Sequence, residues 1–211
     1  MKRIILTVLG VLTVSAGADA QNGAQEFVDF DRGQPSRNFS PRAALEECEI
    51  CIERALLAAP GNARENATVI SWNADYTYRT LKEGSSQLVC YDRSGDPGQP
   101  AFAVACTARG NLDRIAQNRR FATEAGDRAG IRALVTAAEA NGTRIPPVYG
   151  SAWMDLGGEN QASARPHTTI AMPGATEESS GFPESRAGGG AWIMAAGSSE
   201  AHLMVPYIVA P

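Results

Sequence analysis

Cys48, Cys51, Cys90 and Cys106, with His167, His202 and the carboxylate of Glu200, are the side chains whose types and spacing bear on chemistry. Cys48 and Cys51 form a C-x-x-C, the spacing of thiol–disulfide exchange and of half a zinc site. Exchange needs a thiolate of lowered pKa, and Glu46, Glu47 and Glu49 around this pair disfavour one. A four-cysteine zinc site has the right ligand count. However, Cys90 and Cys106 lie far outside the spacing of roughly two to four residues that such a site uses. Structural bridging is the reading that remains. Four cysteines allow three connectivities, and sequence alone does not choose among them. Cys90 and Cys106 lie in two strand-like segments joined by one loop, a natural cross-link. Cys48 and Cys51, at i and i+3 of a helix, fall within the roughly 4.4–6.8 Å between Cα atoms that a disulfide tolerates. The expected bridges are Cys90–Cys106 and Cys48–Cys51, with no metal and no cofactor.

Ser199-Glu200-Ala201-His202 places Glu200 and His202 on one face of a strand, because side chains repeat every second residue. A carboxylate–imidazole pair of this kind orients a general base. No G-x-S-x-G elbow supplies a nucleophile, and no H-E-x-x-H holds zinc. His202, Glu200 and His167 are therefore candidates for a ligand site, and no residue is assigned a catalytic role. Tyr149, Trp153, Trp192, Met154, Met194 and Met204 read as sheet core, and Gly188-Gly189-Gly190 as a flexible turn.

The elements that must position these groups begin after an export signal. Met1-Lys2-Arg3, an apolar run from Ile4 to Val14 and Ala18-Asp19-Ala20 form a leader of bacterial type over residues 1–20, cleaved after Ala20. The expected destination is periplasmic or extracellular, where cysteines pair. The whole chain carries 19 basic and 23 acidic residues. Without Lys2, Arg3 and Asp19 the balance is 17 to 22, a net charge of −5. No basic stripe serves nucleic acid or an anionic lipid surface, and no later apolar run approaches the ~20 residues of a membrane span.

Residues 21–40 are polar and aperiodic and read as a flexible lead-in to one domain over 41–211. Ser40 and Pro41 start a helix whose apolar stripe includes Leu45, Cys48, Ile52, Ala55 and Leu56, and Pro60-Gly61 stops it. Strand-like runs follow at Thr68–Trp72, Tyr76–Leu81 and Gln87–Tyr91, the last two joined by a hairpin turn at Glu83–Ser86. After a loop from Ser94 to Pro100 comes a short strand, Phe102–Cys106. Asn111 and Asp127 are the expected N-caps of two helices ending near Ala125 and Ala140. Short strands then follow at Val148–Leu156, Thr168–Met172, Ala191–Ala195 and Ala201–Val205. Gly157-Gly158 and the Pro173–Pro183 segment are the intervening loops. This order predicts an α+β class, with about three helices on a largely antiparallel sheet of short strands.

Leu81-Lys82-Glu83-Gly84-Ser85-Ser86, then Val89-Cys90-Tyr91-Asp92, a proline-containing loop and Cys106 resemble a pattern in a family of uncharacterised bacterial exported proteins. In that family an L-R-x-G-T-N-G run leads to two cysteines flanking a proline-rich loop. Tyr149 to Gly158 is similar to its Y-M-x-x-G-G segment, and Ala201-His202-Leu203-Met204-Val205 to its P-H-x-M-V stretch. Ser85-Ser86-Gln87 stands here in place of T-N-G. The resemblance implies export and a paired Cys90/Cys106, and brings no established activity.

The expected function is therefore that of a soluble exported protein without catalytic machinery, an envelope binding or accessory protein. Its partner is unknown, a small molecule or an envelope component. The alternatives are a small exported hydrolase using His202 and Glu200, and a thiol redox protein using Cys48 and Cys51.

Overall fold

The structure is a computed structural model and describes residues 49–206. The expected leader, the lead-in, the helix start at Ser40-Pro41 and Cys48 lie outside the described residues. Helix α1 is described over 49–55, where Cys51 is exposed, and it tightens into a 3₁₀ turn at Leu56–Ala58 before Pro60. The strands are β1 (Thr68–Trp72), β2 (Tyr78–Lys82), β3 (Leu88–Asp92), β4 (Phe102–Ala108), β5 (Ala152–Gly158), β6 (Arg165–Ala171), β7 (Trp192–Met194) and β8 (His202–Met204). Between β4 and β5 lie α2 (Leu112–Ala125) and α3 (Arg128–Ala140), and between β6 and β7 the short α4 (Glu177–Ser180). All eight strands form one sheet in the order β2-β1-β3-β4-β5-β6-β8-β7. Every neighbouring pair is antiparallel except β1 and β3. The fold is α+β, as the order of elements implied. No helix among the described residues is long and apolar enough to cross a membrane.

The expected hairpin between β2 and β3 does not form, because β1 lies between them. Thr68, Val69 and Ile70 of β1 are buried on both faces, which suits an interior strand. Tyr78, Arg79 and Thr80 of β2 are exposed, which suits an edge. The Glu83–Ser86 turn instead crosses the start of β1. A Cβ at Gly84 would stand 2.3 Å from the Asn66 carbonyl oxygen, so only glycine fits there. Likewise Gly157 and Gly158 belong to β5 rather than to a loop. A Cβ on Gly158 would lie 2.8 Å from the Ala164 Cα, where the chain doubles back into β6. The expected loop from Pro173 to Pro183 contains α4, started by a Thr176–Ser179 capping box.

Register assigns the two faces of the sheet. Val69, Cys90, Cys106 and Met154 are successive partners across β1, β3, β4 and β5. They pack with Ala55, Ala59, Ile52 and Leu56, so α1 covers this face. Ile70, Tyr91, Ala105 and Asp155 form the neighbouring row, and Val89, Thr107, Trp153 and Thr169 the next. Because side chains alternate, these rows project to the opposite face. There Val89, Tyr91 and Ala105 pack with Leu112 and Ile115 of α2, and α3 packs on α2.

Asp127 caps α3 as expected, its carboxylate accepting from the Gly130 N–H at 2.8 Å. Asn111 does not cap α2. It is wholly buried, and its amide donates to Thr107 Oγ1 at 2.8 Å and Ser151 Oγ at 2.9 Å. Its Oδ1 accepts from the Val148 N–H at 2.8 Å. It thus ties the start of α2 to the chain entering β5.

Cys90 and Cys106 face each other across β3 and β4, with their sulfurs at disulfide distance and both residues fully buried. In the loop-entropy account a bridge closing a loop of this size stabilises by about 3 kcal/mol. Replacing both residues with alanine is expected to lower stability by about 2–4 kcal/mol. Urea denaturation with and without reductant checks this: reductant should move the parent's midpoint and leave the double variant's unchanged.

Candidate functional site

The face of α2 turned to the sheet carries Ile115, Asn118, Arg119, Ala122 and Thr123, at the i, i+3, i+4 spacing of a single stripe. In a dry helix–sheet contact that stripe would be apolar throughout. Here three of its five residues are polar, and the space beneath them is a cleft. The cleft encloses about 390 Å³ and is floored by Tyr91 and Trp153. Its far wall comes from the β1–β2 turn, through Asn73 and Tyr76, and from the loop after β3, through Arg93, Asp96 and Gln99. A second cleft of about 250 Å³ lies along the same seam, with Asp155, Thr169, Glu200 and His202 among its walls. Asn118 and Trp153 line both.

Tyr76 holds the left-handed backbone conformation, with φ 68°. For a bulky side chain this costs about 1–2 kcal/mol relative to glycine. The turn that imposes it is heavily cross-linked. Asn73 N–H donates to the Thr77 carbonyl at 2.8 Å and its amide to Thr77 Oγ1 at 2.8 Å. The Thr77 hydroxyl and N–H both donate to Asp75 Oδ1, at 2.6 and 3.0 Å. These bonds, the Thr77 hydroxyl foremost, hold the Asp75 carboxyl below its ordinary range. The Tyr76 ring, which stacks under the Arg120 guanidinium at 5.5 Å, is thereby held at the cleft wall.

Each arginine of the clefts already has a carboxylate. Arg93 donates to Asp155 Oδ1 at 2.5 Å, and Arg119 donates to Asp96 Oδ2 while its guanidinium lies over Trp72. Burial pushes the Asp96 carboxyl up, and Arg119 and Arg93 oppose it. Burial likewise pushes the Tyr91 phenol above its ordinary value, so it stays a neutral hydroxyl. Arg114 and Arg144 are both buried. They share Glu200, whose Oε1 lies 3.0 Å from Arg144 Nη2 and 3.7 Å from Arg114 Nη2. Burial, reinforced by Arg144, brings Arg114 down to about 10, still charged at neutral pH.

These guanidiniums change the expected role of Glu200. Its carboxylate serves them, and His202 instead places Nδ1 2.7 Å from the Glu200 backbone carbonyl. A carbonyl oxygen only accepts, so Nδ1 carries the hydrogen of this contact. The expected carboxylate–imidazole pair fails because Glu200 precedes β8, where strand alternation does not apply, and because two buried cations hold a carboxylate more strongly than a neutral imidazole does. His202 and Glu200 share the second cleft; His167 lines neither. It is exposed on β6 opposite Asp155, four residues from Ala171, the partner of His202, or about 13 Å along a strand. Trp153 belongs to the clefts as much as to the core, and Tyr149, expected in the core, is 66% exposed. Among the described residues no group of three His, Cys, Asp or Glu side chains gathers that could hold a metal ion.

Residues of the first cleft other than Trp153 escaped the sequence reading. The available signal was the polar character of Asn118, Arg119 and Thr123 on the stripe of α2 that also carries Ile115 and Ala122. Comparison with protein-family models, with curated proteins and with solved structures returned no match.

Glu139 of α3 accepts from the Ser199 N–H at 2.9 Å and so anchors the turn that carries Glu200 and His202. The Ser199 side chain foremost, with that N–H second, holds its carboxyl below the ordinary 4.5. A depressed folded value means that the stabilisation is complete above the unfolded pKa and is lost as pH falls through the folded one. Carboxyl NMR titration is expected to place the Glu139 midpoint below 4.5, and Glu139→Gln should flatten the acid limb of the stability profile there.

Proposed function

We propose that this chain is an exported binding protein whose ligand occupies the cleft between α2 and the sheet. The observation that carries the reading is the convergence of Tyr76, Tyr91 and Trp153 with the amides of Asn73, Gln99 and Asn118 on one concavity of about 390 Å³. A mostly formed pocket with aromatic walls and a few convergent polar groups is the usual form of a small-molecule site. The left-handed Tyr76 adds weight, because backbone strain at a bulky residue concentrates at functional positions. Export is supported by the leader-like residues 1–20 and by the paired distance of Cys90 and Cys106, a pairing that lasts in oxidising compartments.

A thermal-shift screen of soluble envelope fragments (sugars, amino acids, short peptides) tests the reading. A ligand at about 100 times its Kd stabilises by about 2.7 kcal/mol. Tyr76→Gly is expected to raise the stability of the free protein by up to about 1 kcal/mol, because glycine adopts this backbone freely. The same change should weaken the ligand by about tenfold or more through loss of the ring. Hits whose affinity is indifferent to Tyr76→Gly and Asn118→Ala would count against the cleft.

A hydrolase reading has one observation in its favour: His202, its Nδ1 turned to the Glu200 backbone carbonyl, lines a cleft that also holds the Thr169 side chain. The ion pairing of Glu200 with arginines weighs against it. Chromogenic ester, amide and glycoside substrates decide between the two. The expected result is no turnover. Turnover that His202→Ala abolished would favour the hydrolase.

A further inference from the structure

The two clefts adjoin along one seam and share Trp153 and Asn118; taken together they make one groove. Along α2 the wall runs from Arg114 to Thr123, nine residues or about 14 Å at 1.5 Å per residue. A ligand filling it is extended rather than a single compact ring.

Charge narrows the class of ligand. The groove carries three guanidiniums, of Arg93, Arg114 and Arg119, and three carboxylates, of Asp96, Asp155 and Glu200. Each guanidinium lies against a carboxylate of the same groove. Arg144 shares Glu200 with Arg114, and the carboxylate of Glu139 acts on both; four guanidiniums thus meet four carboxylates, and no net potential selects an anion or a cation. A phosphate or acidic chain would have to displace a carboxylate already in place.

The remaining polar groups are of both senses at once. The amides of Asn73, Gln99 and Asn118 each donate and accept, as does the hydroxyl of Thr169, while Thr123 Oγ1, which donates to the Arg119 carbonyl, is left to accept. The paired carboxylates keep lone pairs for further donors. Such a set matches hydroxyl groups, which also do both. Trp153 and Tyr76 supply flat apolar faces between these groups, suited to the C–H face of a pyranose ring. A peptide is a poorer match. Its backbone would seek unpaired strand groups, whereas the floor of this groove is the face of a sheet whose β3, β4, β5 and β6 pair with one another.

We infer that the groove takes an uncharged, polyhydroxylated chain, a neutral oligosaccharide lying along α2 with one ring on Trp153. This rests on the cleft-binding reading above and adds the class of ligand.

The test is titration of the full exported chain with triacetylchitotriose, cellotriose and maltotriose, followed by indole and side-chain amide NMR signals. The corresponding monosaccharides, trigalacturonate and trialanine serve as comparison probes. The expected result is saturable binding of at least one neutral trisaccharide, with shifts at Trp153 and Asn118. It should be about tenfold or more tighter than its monosaccharide, and unchanged from low salt to about 0.5 M, where exposed charges are screened. Asn118→Ala, which keeps a good helix former in α2, should weaken it by about tenfold or more; Gln99→Ala in the opposite wall is the second variant. Trigalacturonate or trialanine binding in place of the neutral sugars, with the same residues shifting, would overturn the class while leaving the cleft as a binding site. A monosaccharide as tight as the trisaccharide would overturn the extended ligand. If no probe moves Trp153 or Asn118, the oligosaccharide assignment fails, and the binding reading then stands or falls with the thermal-shift screen.

Discussion

Phe102 to Thr107 of β4 are each buried, so both faces of this strand must be covered by something other than solvent. That demand organises the molecule. On one side Cys106 lies under Ala55, with Sγ 3.8 Å from its carbonyl oxygen, which draws α1 onto the sheet. On the other side Ala103, Ala105 and Thr107 are small, and α2 settles over them through Leu112 and Ile115. Small residues on β4 flanked by Tyr91 on β3 and Trp153 on β5 make a trough in the sheet face. A helix bridging a trough rests on its rims. Where its stripe turns polar, the gap beneath it becomes the cleft.

The charges follow from the same geometry. Arg93, Arg114 and Arg119 reach the seam between helix and sheet, where a guanidinium without a partner would be strongly destabilising. Each meets a carboxylate from a distant stretch of chain: Asp155, Glu200 and Asp96 respectively. These contacts join the β3–β4 loop to α2 and to β5, and α2 to the turn before β8. Their individual worth is modest, since several partners are partly solvated; the Glu200 side chain is 44% exposed. Their structural effect is larger, because together they locate both walls of the groove and leave it without net charge.

Much of this architecture was legible along the chain. Alternation and β-branching marked every strand within a few residues, Asp127 marked the start of α3, and Pro60-Gly61 marked the end of α1. The misreadings share a cause. Glu83–Ser86 looked like a hairpin turn because the segments on either side are adjacent in sequence. Yet the polar β2 suits an edge and the apolar β1 an interior position, and that preference overrode proximity. Gly157-Gly158 looked like a loop until Ala164 closed against it. Asn111 has the composition of a cap, and only burial beside Thr107 and Ser151 shows it as a tie between elements. Glu200 and His202 line one cleft, but their expected partnership assumed that no stronger partner for the carboxylate was near. Arg114 and Arg144 approach it from 86 and 56 positions away, a juxtaposition that local spacing does not reveal.

By itself, then, the sequence determined the α+β class and the near-boundaries of the elements, and it pointed to the opposition of Cys90 to Cys106, because these depend on local periodicity and on strands joined by one loop. Only the tertiary structure decided which strand sits between which, which carboxylate answers which arginine, and that the polar stripe of α2 overhangs a trough instead of solvent. Those are contacts between residues far apart along the chain, selected by burial and charge neutrality in the assembled fold, and no window of sequence contains both partners.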